Sequence, residues 1–321
     1  MFSLMMDTLL YLLARAVLGF LQALPLPWVA RLGRAGGALF YYVDARHRRV
    51  ALRNLHNCFG AEKSPEEIRV VARENFRRIG ENYCCAAKTA AMSDAELLPY
   101  FSFKGEDKLL KNAGPEGPQS CVVAVGHFGN FELYARMCQF VLPFRGVSTY
   151  RGLRQKSLNR LLLSLRRRSG CQFFERRTEA KELKAALAGK SLLLGLLADQ
   201  HAGDHGLRLP FFGRDCSTSA APAIFALRYG WPLHTCICYR TGLGRWTIEA
   251  GDEIPTHENG QPRSMEAISL DVNRVFEVAV RRDPANWFWV HNRWKPAKVK
   301  RGIAKAKNPT PAPQSEAEPV T

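Results

Sequence analysis

The 321-residue sequence has no CxxC pair, no CxxC…H arrangement and comparatively few acidic residues. Its nine cysteines are odd in number and mostly lie in apolar runs, which argues against a zinc site or a disulfide scaffold and favours reduced thiols. The 29 Asp and Glu face 46 Lys and Arg, so the formal charge is +17. A surface of this charge attracts polyanions: nucleic acid, an anionic bilayer or an acidic protein.

No Lys or Arg precedes the apolar run at residues 8–24, and Arg15 interrupts that run. A cleaved signal peptide needs a basic leader, and a spanning helix needs about 20 apolar residues, so neither description fits well. The next segment mixes aromatic residues with Arg31, Arg34, Arg46, Arg48, Arg49 and Arg53. This mixture suits anionic headgroups. We therefore expect a membrane-anchoring helix at residues 1–30 with its basic flank on the cytoplasmic side. The alternative is an amphipathic helix folded onto the core.

Apolar periodicity divides the remaining chain into helices and strands. Ser64, followed by Pro65 and two acids, predicts the start of a helix that runs through residues 68–87. Strands are predicted at 122–125, 192–198, 234–239 and 246–250, and helices at 133–142, 158–168, 179–188, 220–229 and 270–281. Alternating buried strands and helices indicate an α/β fold with a largely parallel central sheet flanked by helices, over residues 31–295. The Lys-, Ala- and Pro-rich tail at 296–321 is predicted to be disordered.

Two residues that can do proton chemistry follow predicted strands. His127 lies in the segment GHFGNFE at residues 126–132, and Asp199 follows the second strand. Ligands of open α/β sheets bind beyond the carboxyl ends of the strands. An imidazole held by a carboxylate becomes a competent general base, and we predict that Glu132, in the first turn of the next helix, holds His127. Asp199 is either part of the same site, a helix cap or an ion-pair partner of nearby arginines.

The GHFGNFE segment resembles the His-x4-acid motif of the lipid A biosynthesis lauroyl/myristoyl acyltransferases, within the lysophospholipid acyltransferase-like superfamily. Further matches follow in order at residues 150–151, 166–170, 199–200, 210–213 and 287–295, so the likeness covers about residues 9–295. It implies an enzyme at the cytoplasmic face of the inner membrane. Such an enzyme moves an acyl chain from acyl carrier protein, or acyl-CoA, to a hydroxyl of a lipid A precursor. Relatives act on other glycolipids, so a related glycolipid or lysolipid stays open as the acceptor.

The resemblance also implies roles for individual residues. His127 is the general base and Glu132 its partner. The implied substrate-binding residues are Arg151, Arg166, Arg168 and Asp199. Which arginine of the run 166–168 matches the family is left open. Our own inference adds the backbone N–H groups of Gly129 and Asn130 as donors to the oxyanion. The resemblance implies neither a cofactor nor a metal.

Two other classes of function remain open. A metal-dependent hydrolase could use His127, Asp199, His201, Asp204 and His205, because imidazole and carboxylate groups bind zinc or manganese. A noncatalytic nucleic-acid or membrane-binding module would explain the charge but not the positioned histidine. The expected partners are thus acyl carrier protein, a glycolipid and an anionic membrane, with no nucleic acid. Trp287, Trp289 and Trp294 either anchor the protein at the headgroup layer or belong to the core.

Overall fold

A computed structural model describes residues 2–115, 117–140 and 143–296. The predicted disordered tail, from residue 297 on, lies outside the described residues. The helices are α1 (Phe2–Ala23), α2 (Leu26–Val43), α3 (Ala45–Phe59), α4 (Pro65–Thr89), α5 (Asp94–Leu97), α6 (Glu106–Leu110), α7 (Met137–Phe140), α8 (Lys156–Arg167), α9 (Ala180–Ala186), α10 (Ala221–Tyr229) and α11 (Met265–Arg282). Short 3₁₀ turns occupy Leu98–Tyr100, Phe131–Arg136 and Pro284–Asn286.

The strands are β1 (Phe101–Lys104), β2 (Cys121–Val125), β3 (Arg145–Tyr150), β4 (Gln172–Glu175), β5 (Leu192–Leu197), β6 (Leu207–Phe211), β7 (Arg214–Thr218), β8 (Leu233–Gly242), β9 (Arg245–Ala250), β10 (His257–Glu258) and β11 (Gln261–Pro262). Seven of them form the central sheet in the order β1-β9-β8-β2-β5-β3-β4. Every neighbouring pair in this sheet is parallel except β8 and β9. The predicted α/β fold with a largely parallel sheet is confirmed.

The amino-terminal helices α1, α2 and α3 all pack against α4. This helix begins where the sequence predicts, because Ser64 and Glu67 form a reciprocal capping box. Helices α2 and α4 approach closely at glycines: a Cβ added at Gly37 would lie 2.1 Å from the Phe76 carbonyl oxygen. Only glycine allows this backbone contact, so α2 belongs to the packed body of the protein.

The structure corrects the predicted helix at 133–142. A 3₁₀ turn at Phe131–Arg136 leads instead into the short helix α7, and residues 141–142 lie outside the described part of the chain. Tertiary bonding fixes this turn, because the Tyr134 hydroxyl accepts a hydrogen bond from the Cys238 backbone N–H of β8. Strands β3 and β4 were not predicted; they lie at one edge of the sheet and carry mixed polar and apolar residues.

Candidate active site

Strand pairing brings His127 and Asp199 together across 72 residues of sequence. In the parallel ladder of β2 and β5, Val125 pairs with Leu197. Both strands end at this pair. His127 lies two residues after the end of β2, and Asp199 lies two residues after the end of β5. The carboxyl ends of neighbouring parallel strands share one sheet edge, so both side chains reach the same place.

Asp199 holds His127 by two hydrogen bonds and accepts a third from Trp287. Its Oδ1 lies 2.8 Å from the His127 Nδ1, and its Oδ2 accepts from the His127 backbone N–H at 2.9 Å. The Trp287 indole N–H also donates to Oδ2, at 2.8 Å. Asp199 is only 1% exposed. Phe131 and Phe288 flank the imidazole, with ring centroids 4.8 Å and 5.9 Å away. The ring is therefore fixed in position and orientation.

Electrostatics determine the tautomer of His127. Burial opposes ionisation of Asp199, but the attraction of the His127 imidazole and the hydrogen bonds from His127 and Trp287 outweigh it and lower the pKa of Asp199 to about 2. The carboxyl group is thus ionised at neutral pH and has no proton to donate. The His127 Nδ1 must carry the shared proton, and in the neutral ring Nε2 is left as the basic nitrogen.

The predicted pairing of Glu132 with His127 is wrong. Among the described residues, the His127 ring hydrogen-bonds to Asp199 and not to Glu132. Both Glu132 oxygens instead accept from Arg166, Oε1 from Nη2 at 2.6 Å and Oε2 from Nε at 3.0 Å. The Arg166 guanidinium, in the last turn of α8, can donate two parallel hydrogen bonds to a carboxylate, and it does so to Glu132. Glu132 still lines the same cleft as His127.

One of the two predicted oxyanion donors is not available. The Gly129 backbone N–H already donates to the Asn286 carbonyl, at 3.1 Å. Gly129 has a φ of +50°, and a Cβ there would lie 2.6 Å from the Cys238 carbonyl oxygen, so its role is to let the loop approach β8. The Asn130 backbone N–H stays a predicted donor; the residue is 1% exposed, and its side-chain Nδ2 faces Thr89 at 3.5 Å. Both residues support the loop that carries His127.

A cleft of about 640 Å³ opens beside His127. Its floor is one face of the sheet, made by alternate residues of three adjacent strands: Val123 and Val125 of β2; Leu193, Gly195 and Leu197 of β5; and Gly146 and Ser148 of β3. Its walls add Phe131, Tyr134, Met137, Cys138, Leu162, Cys171 and Phe173. This part of the cleft is mostly apolar.

Polar and basic side chains lie where the cleft meets the carboxyl edge of the sheet. They are Arg151, Arg166, Arg176, Gln200, His201, Ser219 and His291. Of the predicted substrate-binding residues, Arg151 and Arg166 therefore line the cleft. Arg168 points elsewhere, because its Nη1 donates to the Ala91 carbonyl. The prediction that Asp199 binds substrate is corrected as well: buried behind His127, it acts on the imidazole.

The other histidines near the site bond to protein atoms. The His201 backbone N–H donates to His291 Nε2 at 3.1 Å, and His201 Nδ1 accepts from the Gly203 N–H. Burial lowers the pKa of His291 to about 4, so this ring is neutral at pH 7. Within the described residues, no three His, Cys, Asp or Glu side chains are placed to hold a metal ion. The hydrolase alternative has no observation in its favour.

Sequence reasoning missed the residues that support Asp199 from behind. Trp287 and Trp289 are 1% and 0% exposed, so they are core residues and the headgroup alternative is wrong for them. Arg293 is fully buried and donates to the carbonyls of Gln200 and Ser217 and to the Thr218 hydroxyl. It therefore fixes the backbone immediately after Asp199. The family resemblance at residues 287–295 pointed to these residues, but it did not show that their side chains are buried.

Comparison with known proteins identifies the family of this chain. The model of the bacterial lipid A biosynthesis acyltransferase family matches residues 2–296. The lipid A biosynthesis palmitoleoyltransferase of Escherichia coli K12 is 25% identical over 278 residues, which cover 85% of this chain and 86% of the relative. The E. coli K12 lauroyltransferase is 25% identical over 287 residues (87% and 89%). A lipid A biosynthesis acyltransferase of Haemophilus influenzae is 23% identical over 297 residues (89% and 90%).

The family match spans nearly the whole chain, so this protein belongs to the bacterial lipid A biosynthesis acyltransferases. It is an acyltransferase. Relatives named for two different acyl groups are equally similar to it, so likeness does not select the acyl chain.

Proposed function

We propose that this enzyme transfers a fatty acyl chain from acyl carrier protein, or from acyl-CoA, to a hydroxyl of a lipid A precursor, with His127 as the general base. The observation that carries the proposal is the fixed His127–Asp199 pair at the mouth of an apolar cleft. The names of the relatives support a lipid A precursor as the acceptor.

The reaction follows from the tautomer of His127. Its Nε2 takes the proton of the acceptor hydroxyl while the oxygen attacks the thioester carbonyl. The tetrahedral intermediate then collapses and expels the thiolate of the donor, which receives the proton from Nε2. An ester and a free thiol result. The negative charge of Asp199, 2.8 Å from Nδ1, stabilises the imidazolium that forms between the two steps.

The Glu132–Arg166 pair forms one wall of the site in this proposal. The Arg166 and Glu132 side chains are 15% and 26% exposed, so their charges are partly shielded from water. Glu132 holds the guanidinium beside the cleft, where Arg166 contributes positive potential toward anionic substrate groups. Arg151 and Arg176 add to that potential at the mouth. The phosphates of lipid A precursors and the acidic carrier protein are both attracted to it.

The acyl chain of the donor lies along the floor of the cleft. The floor runs from the Val125–Leu197 pair beside His127 to the Leu193–Gly146 pair. Four residues of strand separate these pairs, which is about 13 Å, or about ten methylene groups at ~1.3 Å each. Gly195 leaves space above the sheet for that chain, whereas the sulfurs of Cys138 and Cys171 lie above Gly146 and close that end of the floor.

Mass spectrometry of the lipid product tests the function. Membranes containing the protein are supplied with acyl carrier protein thioesters or acyl-CoA and with a panel of acceptors: a Kdo-bearing lipid A precursor, another glycolipid and a lysophospholipid. A gain of one acyl group on the lipid A precursor is the expected result. Acylation of only another lipid would move the enzyme to the alternative acceptor, and no acylation of any acceptor would refute the proposal.

The proposed location is the cytoplasmic face of the inner membrane. Within α1, residues 6–23 are apolar and long enough to cross a membrane by length and composition. Thioester donors and lipid A precursors meet at that face in this proposal. Fractionation of cells into membrane and soluble fractions, with a high-salt wash, checks the attachment.

A further inference from the structure

Helix α1 has two distinct faces. Asp7, Tyr11, Ala14, Leu18 and Leu21 recur at spacings of three and four and are the less exposed residues, so they form the stripe toward the protein. Over residues 6–21, the rest of the helix surface is apolar apart from Thr8 and Arg15. Its exposed residues include Leu9, Leu10, Leu12, Leu13, Val17 and Phe20.

Both ends of α1 are bonded to the catalytic domain. Near its start, Asp7 Oδ1 accepts from the Ser157 hydroxyl of α8 at 2.8 Å. Near its end, the Gln22 side chain donates to the Ala87 carbonyl at 3.1 Å, and Lys88 of α4 donates to the Gln22 carbonyl at 2.7 Å. The two attachments are 15 residues apart, which is about 22 Å of helix.

The partner at the first attachment is an integral part of the active-site domain. Helix α8 connects β3 to β4, both strands of the central sheet. It begins beside Asp7, and its last turn carries Arg166 to Glu132 in the cleft. Its 12 residues span about 18 Å, close to the distance between the two α1 attachments. Helix α1 therefore lies alongside the domain and does not project away from it.

This arrangement conflicts with a membrane crossing. In a crossing, Asp7 would lie about 22 Å deeper along the membrane normal than Gln22, in the distal half of a hydrocarbon core about 30 Å thick. The Asp7–Ser157 bond would then break, or α8 would enter the bilayer with Lys156, Arg160 and Arg167. Placing such cations in the hydrocarbon is unfavourable, because lipid offers them neither water nor a counter-ion.

We propose that α1 does not cross the membrane but lies in one leaflet, with its apolar face in the lipid and both ends on the same side. This inference rests on the membrane association in the proposed function. Helix α2, which follows α1 directly in the chain, is also rich in exposed apolar side chains: seven large ones lie on α1 and six on α2, against eight in the rest of the described residues.

Charge at the edge of this surface identifies an anionic leaflet as the partner. Exposed arginines border it at positions 15, 31, 46 and 49. The Arg31 guanidinium lies over the Trp28 ring, 5.2 Å from its centroid, and Trp28 is itself 61% exposed. An exposed aromatic beside a cation is suited to the headgroup layer. Helix α8 contacts α1 through Ser157 and lines the cleft through Leu162. The cleft therefore lies next to the helix that we place in the lipid.

A cross-link tests the orientation in membranes. The double variant Asp7→Cys/Ser157→Cys is oxidised in the membrane fraction and again in detergent. We expect at least about tenfold more cross-link than in Leu13→Cys/Ser157→Cys, because Leu13 faces outward. The single variants control for the native thiols. Cross-linking in detergent but not in membranes would show that α1 leaves the domain to span the bilayer and would overturn the proposal.

A second measurement uses the wild-type sequence, so it does not depend on whether a variant folds. Epitope tags at both termini of the wild-type chain are exposed to protease in oriented vesicles. Cleavage of both tags only in inside-out vesicles is expected, and tags on opposite sides would overturn the proposal. Neither readout requires turnover, so a failure of acyl transfer would count against the proposed function alone.

A third measurement tests whether lipid is the partner. Binding to phosphatidylglycerol-containing vesicles should fall at least about fivefold in Leu13→Glu. It should not change in Val278→Glu, a site 67% exposed on α11. Unchanged vesicle binding, or concentration-dependent dimers that Leu13→Glu abolishes, would show that the surface contacts another copy of the chain instead of lipid.

Discussion

Gly195 lies midway along the cleft floor, and enlarging it should block the acyl chain. It pairs with Val123 on one side and Ser148 on the other. A Cβ built at Gly195 would meet only the Val147 carbonyl oxygen, at 4.0 Å. The Cβ of Gly195→Val therefore enters the cleft without displacing protein atoms, and we expect the variant to fold.

The size of the effect follows from the position of Gly195 on its strand. It lies two residues before Leu197, which is about 7 Å from the edge where His127 begins, or about five methylene groups at ~1.3 Å each. In the Gly195→Val variant, about six methylene groups of a dodecanoyl chain would no longer be buried in the cleft. At about 0.8 kcal/mol for each buried methylene, the loss is about 5 kcal/mol. That corresponds to a fall of at least about 10³-fold in kcat/KM.

The assay compares dodecanoyl and butanoyl donors with the wild type and Gly195→Val. Transfer of the long chain should collapse, while transfer of the short chain should stay within about threefold. Gly114→Val is the matched control, because a Cβ there meets nothing within 4 Å and Gly114 is outside the cleft lining. Equal use of the long chain by wild type and a folded Gly195→Val enzyme would refute the placement of the acyl chain.

Three further variants test the site. Asp199→Asn removes the charge that fixes the catalytic tautomer, so kcat should fall by about 10³-fold with an unchanged melting temperature at pH 7 to within a few degrees, as checked by calorimetry. Arg166→Lys loses the bidentate contact with Glu132, so its kcat/KM should fall about tenfold. The control Arg167→Lys should keep a kcat/KM near that of the wild type. Equal losses of kcat/KM in the two variants would contradict the role of the Glu132–Arg166 pair. The folded-state pKa of His291 lies below its usual 6.5, so the stability it contributes is present above pH 6.5 and is lost as pH falls toward 4. In denaturant titrations, His291→Gln should flatten that loss, and an identical pH dependence would contradict the assignment.

The sequence predicted the inner strands well because they are continuously buried. The predicted strands at 122–125 and 192–198 correspond to β2 and β5 within one residue at each end. Burial on both faces produces an unbroken apolar run, which is a strong signal. The half-polar strands β3 and β4, the last two on one side of the sheet, carry no such run, so sequence alone did not reveal them.

The predicted site contained the right residues with the wrong partners. Glu132 was paired with His127 because the two are close in sequence. The actual partner, Asp199, is placed by the adjacency of β2 and β5 and by the Val125–Leu197 register. Neither the order of strands nor their register is visible in apolar periodicity. The bidentate contact between Glu132 and Arg166 of α8 likewise depends on tertiary packing.

The central claim is that His127 removes the proton of the acceptor hydroxyl, and its most direct test is the rate of acyl transfer by His127→Ala. The matched control is His205→Ala, a change of the same type at an exposed residue outside the cleft lining. We predict that kcat falls by at least about 10³-fold in His127→Ala and stays within about twofold in His205→Ala. A folded His127→Ala enzyme that acylates the lipid A precursor within tenfold of the wild-type rate would contradict the claim.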